Sequence, residues 1–207
     1  MGTFLSITGL ATSEQSEVTK ALAHYAAKHE IGFEPTSDSY DEENMLLLHG
    51  GLRCSIVHPN YALDWEDVAR ELSSLLKVPA LTLHIHDDDL WMYVLFLDGE
   101  RFDQFNPLPE YWEELSTEEA ATWDGNSNRF AAVWPDASAE QLGRYLIRWS
   151  DESTEKAYPD DEFPAGNPWQ MVDFMRRLGL DYPFDREGAP QGKQFLWRKP
   201  RRGRRHA

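Results

Sequence analysis

Two histidines and three aspartates stand together near the middle of the chain, in the string HIHDDD that begins at His84. On a β-strand, His84 and His86 would point to the same face, because side chains alternate along a strand. With Asp88 as a third ligand, they could hold zinc or a similar ion and support a metal-dependent hydrolase. Histidines on a half-exposed sheet face, followed by an acidic turn, explain the same residues without a metal.

The same string is similar to the His-x-His-x-Asp-His motif of the metallo-β-lactamase family. Asp89 stands where that motif has its last histidine. The chain also lacks the α-β-β-α order of elements of that family, so the resemblance implies no chemistry for this protein.

Other patterns that could carry catalysis are incomplete. Cys54 lies in an apolar run, and a nucleophilic cysteine needs a base, which only folding could bring from His49 or His58. The stretch from Asp124 begins like a calcium loop, but its sixth position is Arg129 instead of glycine. The chain has no Gly-x-Ser-x-Gly, glycine-rich phosphate loop or Cys-x-x-Cys. These absences favour a function other than catalysis, and no cofactor is expected.

A further group of candidate residues is acidic and aromatic. Asp98, Glu100 and Asp103 surround a predicted hairpin turn, and Tyr111 and Trp112 follow two prolines in a segment expected at the surface. Exposed aromatic side chains beside carboxylates are typical of a protein-binding surface. Charges at turns and strand edges also prevent aggregation, and the two interpretations are compatible.

The charge is distributed unevenly along the chain. The 207 residues include 36 acidic and 20 basic residues. Seven of the basic residues and none of the acidic ones lie in residues 193–207, which leaves residues 1–192 with a formal charge of −23. A body this acidic repels nucleic acid and anionic membranes. It suits a basic protein partner, metal ions or solubility alone. Nucleic acid could be bound only through the tail, at Arg201, Arg202, Arg204 and Arg205. The tail could equally fold back on the acidic body or be solvated.

The composition is that of a folded protein outside the membrane. An apolar fraction of 41% with 8 Trp, 8 Tyr and 10 Phe is enough to form a core. No signal peptide or membrane-spanning run is visible. Cys54 cannot form an internal disulfide, which fits a cytoplasmic protein.

Apolar periodicity predicts the main elements. Strands are expected at 3–10, 45–49, 52–57, 80–86, 91–97 and 101–105, the last three as a meander whose central strand is apolar on both faces. Helices are expected at 13–28, 64–76, 137–149 and 169–178. A short helix is expected within 113–123, with Ser116 or Thr117 as its cap and Glu119 placed for a capping box.

This order of elements predicts an α+β fold, with helices packed on a mostly antiparallel sheet and a helical C-terminal portion. A ferredoxin-like core is one version of such a fold. We expect one domain over residues 1–187 and a basic, flexible tail over residues 188–207.

Two stretches resemble a group of uncharacterised bacterial proteins. They are LFLDGERFDQFNPLPEYW, which begins at Leu95, and FMRRLGLDYP, which begins at Phe174. The resemblance implies a bacterial, intracellular setting and says nothing about catalysis. With the acidic charge, it favours a cytoplasmic protein-binding module, such as an immunity protein that neutralises a basic toxin or a regulatory protein. The alternative is the metal-dependent hydrolase.

Overall fold

The computed structural model describes residues 2–60, 62–150 and 152–198. The strands in these residues are β1 Leu5–Leu10, β2 Gly32–Thr36, β3 Met45–Gly50, β4 Cys54–Val57, β5 Ala80–His86, β6 Leu90–Leu97, β7 Glu100–Phe105 and β8 Lys193–Arg198. The helices are α1 Gln15–Lys28, α2 Trp65–Leu76, α3 Thr117–Ala121, α4 Ser127–Val133, α5 Ala139–Gly143 and α6 Gln170–Arg177.

The strands form one antiparallel sheet, in the order β2-β8-β3-β4-β1-β5-β6-β7. The four central strands are β3, β4, β1 and β5. In chain order, helix α1 follows β1 and helix α2 follows β4, which is the split β-α-β arrangement of a ferredoxin-like core. Strands β6 and β7 extend this core on one side, and β8 and β2 extend it on the other. The α+β fold is therefore confirmed.

The β5–β6–β7 meander follows the sequence prediction closely because its turns are encoded locally. Asp98 and Gly99 have φ of 52° and 84°, the left-handed pair that a two-residue hairpin turn requires. Asp87 and Asp88, with φ of 52° and 61°, make the other turn. Aspartate and glycine tolerate this backbone better than other residues.

Both faces of the sheet are covered. Helices α1 and α2 bury Val18, Leu22 and Val68 on one face. The C-terminal segments cover the other face, where Trp91 contacts Phe174 at a ring distance of 5.1 Å. Strand β6 is buried on both sides, as its two apolar faces predict.

The predicted helical C-terminal portion is not confirmed. The helix expected at 137–149 is only α5, which ends at Gly143, a residue that costs about 1 kcal/mol in a helix. Two tertiary contacts hold the following residues outside a helix: the Tyr145 hydroxyl donates to Asp161, and the Trp149 amide donates to the carbonyl of Pro107. The last helix, α6, is followed by a strand.

The predicted tail from residue 188 is wrong for residues 193–198, which form β8 between β2 and β3. Phe195 and Trp197 alternate into the core, and this apolar alternation outweighs the positive charge of Lys193 and Arg198. Residues 199–207 of the predicted tail, which include its four distal arginines, lie outside the described residues. Strand β2 was also missed, because Pro35 lies within it; β2 is an edge strand, where proline is tolerated.

Candidate functional site

The predicted histidine pair lies on the sheet face that carries α2. Strand β5 aims His84 at the start of that helix, where its ring stacks on Trp65 at 5.0 Å. The Nδ1 atom of His84 is 2.9 Å from the hydroxyl of Ser6 on the neighbouring strand β1. Burial, and then the nearby His86, lower the pKa of His84 to about 4. His84 is therefore neutral at physiological pH.

His86 lies nearer the surface, at the centre of an aromatic patch formed by Phe4, His86, Tyr111 and Trp112. The ring of His86 makes edge contacts with the other three, at 4.9 Å to Phe4, 5.6 Å to Tyr111 and 5.1 Å to Trp112. Phe4, Tyr111 and Trp112 remain 39%, 38% and 51% exposed. Large apolar rings with this exposure are available to another molecule.

Asp88, the third ligand of the predicted metal site, does not form a metal-binding group with the two histidines. The rings of His84 and His86 are 5.8 Å apart, centre to centre, but Asp88 is exposed in the turn that follows them. No group of three or more histidine, cysteine, aspartate or glutamate side chains that could hold a metal occurs in residues 2–60, 62–150 and 152–198.

Asp87, Asp88 and Asp89, which we call the acidic turn, border the aromatic patch. The Gly2 amide donates to Asp87 Oδ1 at 2.9 Å, and the Tyr111 hydroxyl donates to Asp89 Oδ2 at 2.5 Å. The bond to Asp89 raises the pKa of Tyr111. These bonds hold the residues that precede β1 and the segment after β7 against the turn, so the patch and the acidic turn form one surface.

The residues predicted as one partner-binding site are distributed over three places. Tyr111 and Trp112 belong to the aromatic patch. Asp98 and Glu100 are exposed at the β6–β7 turn, about 25 Å away along β6 at roughly 3.3 Å per residue. Asp103 is buried, and it accepts hydrogen bonds from the Tyr93 hydroxyl at 2.7 Å and the Asn126 amide at 3.0 Å. It supports the core and is not available to a partner, so its place in the predicted surface is a correction.

A second surface, which the sequence does not indicate, is an open cleft of about 770 Å³ on the other sheet face. Phe4 lines it together with a group of four aromatic side chains, Tyr40, Trp169, Tyr182 and Phe184, and we call it the aromatic cleft. Their rings form a chain, with 5.5 Å from Tyr40 to Phe184, 5.3 Å from Phe184 to Tyr182 and 5.8 Å from Tyr182 to Trp169. Burial raises the pKa of Tyr182 to about 12, so its hydroxyl stays neutral.

Charged side chains also line the aromatic cleft: the acidic Glu42, Glu43 and Asp185 and the basic Arg186. Asp185 is used by its own turn, where it accepts the amide hydrogens of Glu187 and Ala189. No spacing in the sequence indicates this cleft, because its walls come from the segments before β1 and β3 and from the segment after α6.

The cleft and the aromatic patch lie at the same end of the sheet, which we call the histidine end. There β1, β3 and β6 begin and β5 and β8 end. Phe4 belongs to both surfaces, since it contacts His86 and lines the cleft. The topology thus places the acidic turn and Glu42 and Glu43 at one end of the molecule.

The nucleophile suggested by the sequence has no support. Cys54 is fully buried, and burial raises the pKa of its thiol to about 11, so it is not a thiolate at neutral pH. The two candidate bases make other contacts: His49 lies 2.6 Å from the carbonyl oxygen of Gln191, and His58 lies 2.8 Å from the hydroxyl of Thr8.

Comparison of the chain with protein-family models, with curated proteins and with solved structures finds no match. Across the described part of the chain, the helices are too short or too polar to cross a bilayer.

Proposed function

We propose that this protein is a cytoplasmic binding protein that takes a basic protein partner at the aromatic patch and the acidic turn. The observation that carries the proposal is the cluster of exposed rings around His86, directly beside three exposed aspartates. A bacterial immunity protein that neutralises a basic toxin is one concrete form of this function, and a regulatory protein is another.

The chemistry of the patch suits lysine and arginine side chains. The face of an aromatic ring attracts a cation, and exposed aromatic anchors supply much of the binding energy of protein interfaces. The adjacent carboxylates can pair with a guanidinium or ammonium group. The charge of −23 over residues 1–192 would also attract a basic partner from a distance and raise the rate of association.

The metal-dependent hydrolase has no comparable observation in its favour. His84 is bonded to Ser6 and stacked on Trp65, and Asp88 does not join it in a metal-binding group among the described residues.

The test begins with affinity purification from native cell lysate, with nuclease added, and identification of stoichiometric prey by mass spectrometry. The Kd of a basic prey is then measured by calorimetry. Trp112→Ala is expected to raise the Kd about 30-fold, as for the loss of an interface anchor worth about 2 kcal/mol.

The chain offers a matched pair of charge reversals for the same measurement. Asp88→Lys and Asp98→Lys change the charge equally, and both residues are exposed turn positions with positive φ, at opposite ends of β6. Asp88→Lys should weaken the complex and Asp98→Lys should leave it unchanged. Equal Kd values for the two variants, or a partner that tolerates Trp112→Ala, would refute the proposal.

A further inference from the structure

We propose that the aromatic cleft is a binding site for arginine side chains and that its occupant is the basic segment of the same chain, residues 199–205. This segment reads KPRRGRR and lies outside the described residues. The inference does not depend on the partner proposed above, because it concerns a different surface and an intramolecular ligand.

The lining of the cleft has the composition expected of a site for guanidinium groups. Guanidinium planes stack on aromatic faces and pair with carboxylates. Among the described residues that line it, the cleft has five aromatic rings, including Phe4, and three acidic side chains against one basic side chain, that of Arg186. Glu42 also lies close enough to Tyr40 to raise the pKa of that phenol further, after the larger effect of burial.

Two of the acidic residues have no partner among the described residues. Glu42 and Glu43 are exposed, and no described residue makes an ion pair or a side-chain hydrogen bond with their carboxylates. By contrast, Asp185 is held by the amides of its own turn. The two glutamates are therefore free to bind cations that arrive from outside the described part of the chain.

The described part of the chain ends beside these glutamates. Strand β8 ends at Arg198, and the amide of Trp197 donates to the carbonyl of Asn44 at 2.9 Å. The pKa of Asp41 is lowered mainly by a hydrogen bond from Asn44 and, to a lesser extent, by the charge of Arg198. Arg198, the last described residue, thus lies next to the 41–44 loop, which forms one wall of the cleft.

The length of the basic segment is sufficient for it to enter the cleft. Seven extended residues span about 23 Å at roughly 3.3 Å per residue. Arg201 follows Arg198 by three residues, and Arg204 and Arg205 follow it by six and seven, which allows them a reach of about 20–23 Å at roughly 3.3 Å per residue. The four arginines and one lysine of the segment are opposite in charge to the two glutamates, which have no ion-pair partner among the described residues, and this complementarity selects the segment over a neutral ligand.

The experiment uses the full chain with a photo-cross-linker on Gly203→Cys. Cys54 is fully buried, so a maleimide-linked benzophenone reacts at residue 203 alone in the native protein. After irradiation, mass spectrometry should find the cross-links concentrated in residues 40–43 and 182–186 of the same molecule. At about 1 M salt, where the Debye length is about 3 Å, the yield should fall several-fold.

Two double variants in the labelled chain provide the matched control. Glu42→Lys with Glu43→Lys should lower the cleft cross-links several-fold. Asp98→Lys with Glu100→Lys makes the same charge change at the opposite end of the sheet and should leave the yield unchanged. Circular dichroism and thermal unfolding of each variant confirm that the fold is retained.

Three results would overturn the proposal. Cross-linked dimers whose yield rises with protein concentration would identify a second copy as the occupant. Cross-links concentrated at Asp88 and Trp112 would place the segment on the aromatic patch. Equal yields in the two double variants, or no preferred site of cross-linking, would show that the glutamates of the cleft do not bind the segment.

Discussion

Lowering the pH from 7.5 to 5 should destabilise the fold through His58. This side chain is 1% exposed, and its Nε2 atom lies 2.8 Å from the hydroxyl of Thr8. Its Nδ1 atom is buried without a hydrogen-bond partner in the described structure. Burial lowers the pKa of His58 from 6.5 to about 4, against a weaker opposing effect of Asp64.

The direction of the pH effect depends on whether the folded or the unfolded state binds the proton more strongly. Between pH 6.5 and 4 the unfolded chain protonates His58 while the folded protein keeps it neutral, so acid favours unfolding. The free energy of unfolding is therefore highest above pH 6.5 and falls as the pH decreases toward 4. At 1.36 kcal/mol per pKa unit, His58 alone lowers the free energy of unfolding by about 2 kcal/mol at pH 5. His84, whose pKa is also lowered to about 4, adds a loss of the same sign and similar size.

Urea unfolding at pH 7.5, 6.5, 5.5 and 5.0 measures this loss, in a range where most exposed carboxylates remain ionised. His58→Leu changes the free energy of unfolding at every pH. The loss of that free energy between pH 7.5 and 5.0 should fall to about half of the wild-type loss, because only His84 still contributes. His24→Leu, at an exposed position of α1, should keep the full dependence. An unchanged slope in His58→Leu, or stability independent of pH in the wild type, would show that proton uptake by His58 does not drive acid unfolding.

Three more predictions concern the core, a helix end and the thiol. Trp91 is fully buried against Phe105 and Phe174, so Trp91→Ala should lower the free energy of urea unfolding by about 3–5 kcal/mol, and a loss under about 1 kcal/mol would contradict the packing. The Ser116 hydroxyl caps α3, and Ser116→Ala should cost about 0.5–2 kcal/mol in the same assay, with Ser116→Asp restoring most of it. Cys54 should not react with a chromogenic thiol reagent at pH 8 until urea unfolds the protein, and rapid labelling of the native protein would show that the strand opens.

The meander shows how far local sequence can predict this fold. Runs of apolar residues, and the turns of aspartate and glycine that separate them, depend on neighbours within a few residues. The three strands were accordingly predicted to within one residue at each end. The capping box of α3 was predicted for the same reason, since both of its hydrogen bonds join Ser116 and Glu119.

The candidate site was predicted only in part. Tyr111 and Trp112 are exposed, as two aromatics after prolines suggested, whereas their role in binding stays a prediction. Asp103 was misassigned, because an aspartate at a strand edge looks the same in sequence whether it faces water or the hydroxyl of Tyr93. The aromatic cleft was not predicted, since residues 40–43 and 182–186 meet only in the folded chain.

The sequence alone therefore determined the acidic charge, the α+β class, the meander and most of the individual strands and helices, because these depend on composition and on short-range periodicity. Tertiary structure decided where the strand of residues 193–198 inserts, why the chain leaves the helix after Gly143, and which side chains surround His86. Those outcomes depend on pairing between distant segments, where burial of Phe195 and Trp197 or a hydrogen bond to Asp161 outweighs local preference.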